Sequence, residues 1–358
     1  MIIPYGWSRS LQRDFEPFAA HGLVPGRVIV QQRGLYRLVT EAGETEARLS
    51  GRFRHDAADG GHPVTGDWAA LQPGEGMALI QALLPRRTAF LRREAGTGGG
   101  LQVVAANVDV ALIALSLNAD LNLRRLERYL AATYESGAAP VVVLTKADAC
   151  ADVEAALAAV YRIAGDAPVI AVSALTGDGM RALDAQLEPR RTAVLLGSSG
   201  AGKSTLVNAL AGRELMATAA IRANDDKGRH TTTHRELIAL PSGALILDTP
   251  GMRELGLVDA EAGVATAFAG VEAEVEALAG TCRFKDCAHD AEPGCAVQAA
   301  LGDGRLDPAR FESWRKLQRE LAHERLKEDP LARKATQREW IAVMKSARVH
   351  MKDKRKIE

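Results

Sequence analysis

The segment RTAVLLGSSGAGKSTLVNALAG, residues 191–212, constrains the chain more than any other. Gly197, Gly202, Lys203 and Ser204 fill the pattern G-x-x-x-x-G-K-[ST], which functions between a strand and a helix. RTAVLL reads as that strand and STLVNALAG as that helix. The glycines let successive N–H groups turn inward, and the helix N-terminus adds the positive end of its dipole, so the segment suits phosphate groups. Gly197, Ser198, Ser199, Gly200, Ala201, Gly202, Lys203, Ser204 and Thr205 are the candidate phosphate-binding residues. Lys203 would reach the β- and γ-phosphates and Ser204 would ligate Mg²⁺. A glycine-rich turn carrying Lys and Ser by coincidence competes with this reading, and the flanking strand and helix argue against it. The pattern alone does not choose between ATP and GTP.

A phosphate loop of this kind needs a parallel sheet, and the surrounding chain supplies one. From about 100 to 257 apolar strands (VDVALIALSL, PVVVLTK, PVIAVSA, TAVLLG, ALILDTP) alternate with helical segments (LRRLERYLAATYES, VEAALAAVYRIAG, GKSTLVNALAG). From about 22 to 93 short stretches (GRVIV, LYRLV, TEARL, DWAAL, ALIQALL) alternate with Gly-, Pro- and Asp-containing breaks, the pattern of a five-stranded barrel or sandwich. From about 258 onward the chain reads as helical with one cysteine-rich interruption. A length of 358 residues suits two or three such domains. With 47% hydrophobic and 25% charged residues, the balance is that of a globular protein, and disorder is not implied. Apolar runs such as VALIAL at 110–115 fall far short of the roughly 20 residues a spanning helix needs. No secretion signal is read in MIIPYGWSRSLQRDF, so a cytoplasmic protein is expected. Formal net charge is zero, so any polyanionic partner must be met locally.

Four further motifs bear on chemistry. Asp248 ends the strand ALILD and opens DTPG, where a carboxylate facing the phosphate loop can hold Mg²⁺. Gly251 can offer its N–H to a γ-phosphate because no side chain blocks the approach; a plain surface turn competes. GRHTTTHREL at 228–237 reads as a mobile loop closing over the γ-phosphate. Thr232 is assigned there as the magnesium ligand, although spacing does not choose among Thr231, Thr232 and Thr233; a Thr-rich edge strand competes. TKAD, residues Thr145, Lys146, Ala147 and Asp148, ends the strand VVVLT. Asp148 can accept from both N1–H and the 2-amino group of guanine, a donor pair adenine lacks, while the Lys146 stem lies over the base; a turn leading into a helix competes. Ser173 and Ala174 of SALTG follow the next strand, where a backbone N–H can donate to guanine O6. Both base-reading motifs precede the phosphate loop in the chain. The order base, base, phosphate, switch, switch points to a circularly permuted P-loop GTPase, since rewiring leaves spatial proximity intact.

Cys282, Cys287, His289 and Cys295 form C-x4-C-x-H-x5-C. Three thiolates and one imidazole complete a closed tetrahedral Zn²⁺ shell, which argues for a structural metal; reduced free thiols compete. Cys150 stands apart. The tail 333–358 carries nine Lys and Arg against three Asp and Glu, a charge suited to RNA phosphates or to a solvated helix. Arg33, Arg37, Arg48, Arg52, Arg54, Arg86, Arg87, Arg92 and Arg93 add charge to the β-unit.

Taken together, TKAD, SALTG, GSSGAGKST, GRHTTT, DTPG and CRFKDCAHDAEPGCAV, with QALLPRRTAFLRRE and NLRRLERYL, resemble the RsgA (YjeQ) family of circularly permuted GTPases that assist maturation of the bacterial small ribosomal subunit. The resemblance implies a multidomain chain: an N-terminal extension at 1–21, an all-β OB-fold at 22–93, a permuted α/β GTPase domain at 94–257, and a mostly α zinc-binding domain with a basic helical tail at 258–358. It implies a monomer bound to the small subunit and its rRNA, and slow GTP hydrolysis that the subunit stimulates. Thr145 departs from the Asn of the general GTPase motif, and one hydroxyl cannot supply an amide's paired donor and acceptor, so weaker base affinity or a weaker tether to the phosphate loop is expected, without loss of GTP preference. Met252 stands where many switch GTPases place a water-orienting glutamine, so His230 or ribosomal RNA is expected to complete the catalytic site. Both switch segments lead into the zinc domain, so loss of the γ-phosphate is expected to reposition it. Two other classes stay open: an RNA-binding assembly module with a mainly structural nucleotide, and an ATP-dependent P-loop enzyme, which Asp148 disfavours.

Overall fold

The computed structural model describes residues 1–32, 34–56, 61–93, 101–118, 121–216, 235–248 and 260–328. Packing groups the chain into two compact units, Met1–Ala269 and Gly270–Glu358. No described helix is long and apolar enough to cross a membrane.

The first unit opens on a helix absent from the sequence reading, α1 (Arg9–Ala19). Ser8 caps it by accepting the N–H of Leu11, and Leu11 and Phe15 bury one face. Five strands follow: β1 (Val24–Gln31), β2 (Tyr36–Thr40), β3 (Gly43–Leu49), β4 (Trp68–Gln72) and β5 (Ala78–Leu83), with a short α2 (Gly51–Asp56) between β3 and β4. They pair in the order β1-β2-β3-β5-β4 and close through β1–β4, forming the expected barrel. Alternation along β2 and β3 turns Leu38, Ala47 and Leu49 into its core with Val28, Leu71 and Ile80. A hairpin not expected from sequence, β6 (Ala89–Arg93) with β7 (Leu101–Ala106), leads out of the barrel.

The α/β sheet is built from β8 (Val110–Ser116), β9 (Ala139–Thr145), β10 (Val169–Val172), β11 (Thr192–Leu196), β12 (Arg235–Ala239) and β13 (Leu245–Asp248). Their spatial order is β10-β9-β8-β11-β13-β12, parallel except for β12. Every residue of β8 is buried, as expected of a strand covered on both faces. Crossovers run through α3 (Leu123–Ser136), α4 (Val153–Ala164) and α5 (Met180–Asp184), and α6 (Lys203–Ala211) follows β11. The chain starts the sheet at β8, moves outward to β10, then returns to the centre at β11 and proceeds the other way. Strand order therefore reverses between β8 and β11, and ligands of open α/β sheets bind beyond the carboxyl ends of strands at such a reversal. That is where the phosphate loop begins.

Part of the segment read as a loop, residues 235–237, is strand: β12 pairs with β13 and also with β1 (Val30↔Glu236, Gln31↔Arg235). Barrel and α/β sheet are thus hydrogen-bonded to one another. Arg27 on β1 adds a second link, because its guanidinium donates to Gly66 O at 3.2 Å, Asn107 O at 3.1 Å, Thr192 Oγ1 at 2.9 Å and Tyr5 O. Burial lowers its pKa to about 10, opposed by Asp109 and Asp67. After β13 the described chain resumes at 260 and forms α7 (Glu261–Ala267), whose Gly263 N–H donates to Glu135 of α3 at 2.8 Å.

In the second unit α8 (Ala269–Ala279) precedes the cysteine-rich segment, and α9 (Ala296–Gly302) and α10 (Pro308–Glu328) follow it. The basic tail at 333–358 lies outside the described residues.

Candidate functional site

Three loops converge at the carboxyl ends of β9, β10 and β11. The phosphate loop leaves β11 at Gly197, whose φ is 140° and where an added Cβ would stand 2.4 Å from Ala114 O of β8. Only glycine lets the two central strands lie this close at that point. Gly202, at φ 80°, caps α6, so the helix starts at Lys203 and its first-turn N–H groups belong to Lys203, Ser204 and Thr205. Lys203 Nζ donates to Gly197 O at 2.8 Å and Ser198 O at 2.5 Å, which folds the ammonium over the loop. Ser204 is half-buried, Ala201 is buried, and Ser199, Gly200 and Thr205 are exposed.

The TKAD segment is bonded directly to this loop. Thr145 is buried, and its hydroxyl lies 2.8 Å from Ala201 O and 3.3 Å from Leu115 O. A hydroxyl donates once, and the shorter contact is the stronger bond, so the tether across 56 residues exists despite the missing amide. Lys146 adopts φ 59°, caps a 3-10 turn over Ala147–Ala149, and donates from Nζ to Gly200 O at 2.9 Å. Asp148 accepts from Ser173 Oγ at 2.6 Å, and that hydroxyl also accepts the Thr176 N–H at 3.2 Å. Ala174 is half-buried beside it. The candidate base-reading residues are thus held to each other and to the phosphate loop, an arrangement that would reduce the entropy lost on binding a ligand there.

Asp248 ends β13, which pairs in parallel with β11, the strand that leads into the phosphate loop. Its side chain, with Gly251, Met252, His230 and Thr231 to Thr233, lies outside the described residues.

Cys282, Cys287, His289 and Cys295 bring one ligand atom each within 4.8 Å of one another. Cys282 Sγ is 3.9 Å from Cys295 Sγ and 3.7 Å from His289 Nδ1, and Cys295 Sγ is 3.5 Å from His289 Nδ1. Tetrahedral zinc with usual bond lengths requires S···S edges of about 3.8 Å and S···N edges of about 3.6 Å. The donor set therefore fits the metal in chemistry, and the three edges among Cys282, His289 and Cys295 fit it in size. His289 sits at φ 58°, its carbonyl accepts from Gln298 Nε2 at 2.6 Å, and Glu292 binds the N–H groups of Ala288 and Asp290, each at 2.9 Å. Cys287 is pushed up to about 11 by desolvation and by Cys295 and Cys282 beside it. Such crowding disfavours three thiolates unless a cation joins them.

Residues 83–258 match the family RsgA GTPase. A relative from Opitutus terrae, named small ribosomal subunit biogenesis GTPase RsgA, is 48% identical over 96% of this chain and 96% of its own length. The chain belongs to the RsgA GTPase family. A relative from Syntrophotalea carbinolica with the same name is 46% identical over 93% of each chain. Among solved structures, YjeQ from Thermotoga maritima matches with a TM-score of 0.58 at 24% identity, covering 84% of this chain and 99% of its own. YloQ, described as a circularly permuted GTPase, matches with the same score and covers 85% of this chain and 96% of its own. These two carry the fold only, and the reversed strand order described above agrees with it.

For an RsgA GTPase the sequence reading misses one group near the site and, away from it, one buried ion pair beside the barrel. Asn208 on α6 accepts the N–H groups of Leu215 and Met216, each at 2.9 Å, and donates to Met216 O at 2.8 Å. It fixes the chain leaving α6; an Asn inside a helix, where propensity disfavours it, was the available signal. Arg86, counted among the surface cations, instead forms a two-pronged pair with buried Asp67 at 2.8 and 2.7 Å. Its charge is spent inside the fold.

Proposed function

We propose that this chain hydrolyses GTP to GDP and phosphate while bound to the small ribosomal subunit, and acts late in the maturation of that subunit. The observation that carries the reading is a set of three bonds: Thr145–Ala201 and Lys146–Gly200 tie the TKAD segment to the phosphate loop, and Asp148–Ser173 ties it to the SALTG loop. The names of the relatives support the ribosomal part.

In this account Asp148 accepts two guanine N–H groups, Lys146 covers the base, and the Ala147, Ser173 and Ala174 backbone lines its edge. Gly197 to Thr205 surround the phosphates with N–H groups, and Lys203 exchanges its two carbonyl partners for the β- and γ-phosphates. Ser204, Thr232 and Asp248 are the proposed magnesium ligands. Bound Mg²⁺ would neutralise charge developing between the β- and γ-phosphates. Gly251 offers its N–H to the γ-phosphate, and His230 is the proposed orienting group for the attacking water. Cys282, Cys287, His289 and Cys295 hold one structural Zn²⁺. Residues 22–93 serve as the OB-fold, 94–257 as the GTPase domain and 258–358 as the zinc-binding domain, in a cytoplasmic monomer that contacts rRNA.

The test of guanine recognition is Asp148→Asn. Losing two charge-assisted hydrogen bonds, each worth about 1.5–3 kcal/mol, should weaken GDP binding by roughly 10²- to 10⁴-fold. Xanthine accepts where the guanine 2-amino group donates, so xanthosine diphosphate should bind the variant better than GDP. Equal GDP affinity in the two proteins would remove Asp148 from the base site.

A further inference from the structure

A cavity of about 450 Å³ opens in the first unit at the end of the sheet opposite the phosphate loop. Asp109 leads into β8 and Arg190 and Arg191 lead into β11, so the cavity lies beneath the starts of the two central strands. The five residues of β11 span roughly 17 Å between it and Gly197. Its other walls are Trp7, Trp68 and the N-terminus of α1, and the cavity is of a size that takes a small ligand.

The lining carries five arginines, Arg9, Arg27, Arg87, Arg190 and Arg191, against Asp109 as its one acid. Two of the cations are committed elsewhere: Arg27 is buried on its own partners, and Arg87 pairs with Asp14 at 3.3 Å. Asp109 is engaged as well, accepting the Thr192 N–H at 2.7 Å. Arg9, Arg190 and Arg191 are exposed, and among the described residues their side chains hold no ion pair or hydrogen bond. Arg190 stands at φ 71°, in the left-handed region, with its N–H fixed on Gly243 O at 2.7 Å. A long cationic side chain is an uncommon occupant of that conformation. The first turn of α1 contains no acidic residue to offset its dipole, which adds to the positive field. Trp7 is half-buried against Trp68, with ring centroids 4.9 Å apart, and contributes a flat apolar wall.

We propose that this cavity is a second nucleotide-binding site, with phosphate on Arg9, Arg190 and Arg191 and the base against Trp7. The phosphate, sugar and base can arrive as a free nucleotide or as one nucleotide of a single-stranded RNA. The site is separate from the phosphate loop and does not depend on the GTPase reading.

Full-length protein saturated with GDP should be titrated with UDP, with a short oligouridylate and with inorganic pyrophosphate, followed by tryptophan fluorescence and equilibrium dialysis. Uracil lacks the donor pair suited to Asp148, and GDP occupies the phosphate loop, so binding reports on the second cavity. UDP or the oligonucleotide should bind more tightly than pyrophosphate. Binding of UDP identifies a free nucleotide as the ligand; binding of the oligonucleotide alone identifies RNA. Arg190→Gly with Arg191→Ala should weaken binding at least tenfold and flatten its salt dependence, while GDP affinity is unchanged. Arg190→Gly alone should match or exceed the wild-type melting temperature, because glycine relaxes the backbone, yet still lose affinity. Failure of both UDP and the oligonucleotide to bind near physiological salt would overturn the proposal. So would wild-type affinity in the double variant, or pyrophosphate binding as tightly as the better of UDP and the oligonucleotide.

Discussion

At the scale of single residues, Thr145 shows how a substituted motif position keeps its role. The sequence predicts a weaker tether because a hydroxyl offers less than an amide, and the structure gives that hydroxyl one good acceptor, Ala201 O at 2.8 Å. Thr145→Val removes this bond with little change in shape. The expected loss is about 1 kcal/mol, a roughly fivefold weaker GDP affinity, with Thr145→Ser near wild type. A fluorescent GDP titration reads both, and wild-type affinity in the valine variant would sever the tether from binding. Arg27 is the opposite case, because nothing local marks it. A buried guanidinium is recognised by its acceptors, and those of Arg27 come from Tyr5, Gly66, Asn107 and Thr192, up to 165 positions away. Linear patterns carry no record of such a bond.

At the scale of elements, the strands of the α/β sheet are legible because burial on both faces forces continuous apolar runs, as in VALIAL of β8. The barrel strands are legible because alternation and turn residues bracket each one. The β6–β7 hairpin escapes notice since its pairing depends on a partner across residues 94–100 and on a bulge between Phe90 and Leu91. Helix α1 carries a cap at Ser8 and apolar residues at helical spacing, but Pro17 within its last turns weakens the pattern. The cysteine cluster is legible as ligands, and the structure gathers the four ligand atoms within 4.8 Å, three of their separations at tetrahedral length. One zinc per chain is therefore expected by metal analysis. Cys287→Ser, or removal of metal with a chelator, should abolish the cooperative thermal unfolding of the second unit, since metal binding at such sites is folding energy. Nucleotide binding by the first unit should survive. Metal-free protein that melts with an unchanged profile would contradict a structural zinc.

At the scale of the whole molecule, the chain order of the motifs and the spatial order of the strands tell the same story. TKAD and SALTG precede the phosphate loop because the chain enters the sheet at β8, beside β11, and fills one half before the other. The three loops meet because parallel strands deliver all their carboxyl ends to one side of the sheet. The residues that would close over the γ-phosphate, His230 to Thr233 and Gly251, are legible only as motifs, and their roles rest on chemistry alone. As proposed, this assembly is a GTPase whose turnover answers to the small ribosomal subunit. The direct measurement is phosphate release from GTP by the full chain alone, with purified small subunits and with purified large subunits, with ATP in parallel. Slow release that rises only with small subunits and only from GTP is the predicted result. Equal release from ATP, or turnover indifferent to the small subunit, would contradict it.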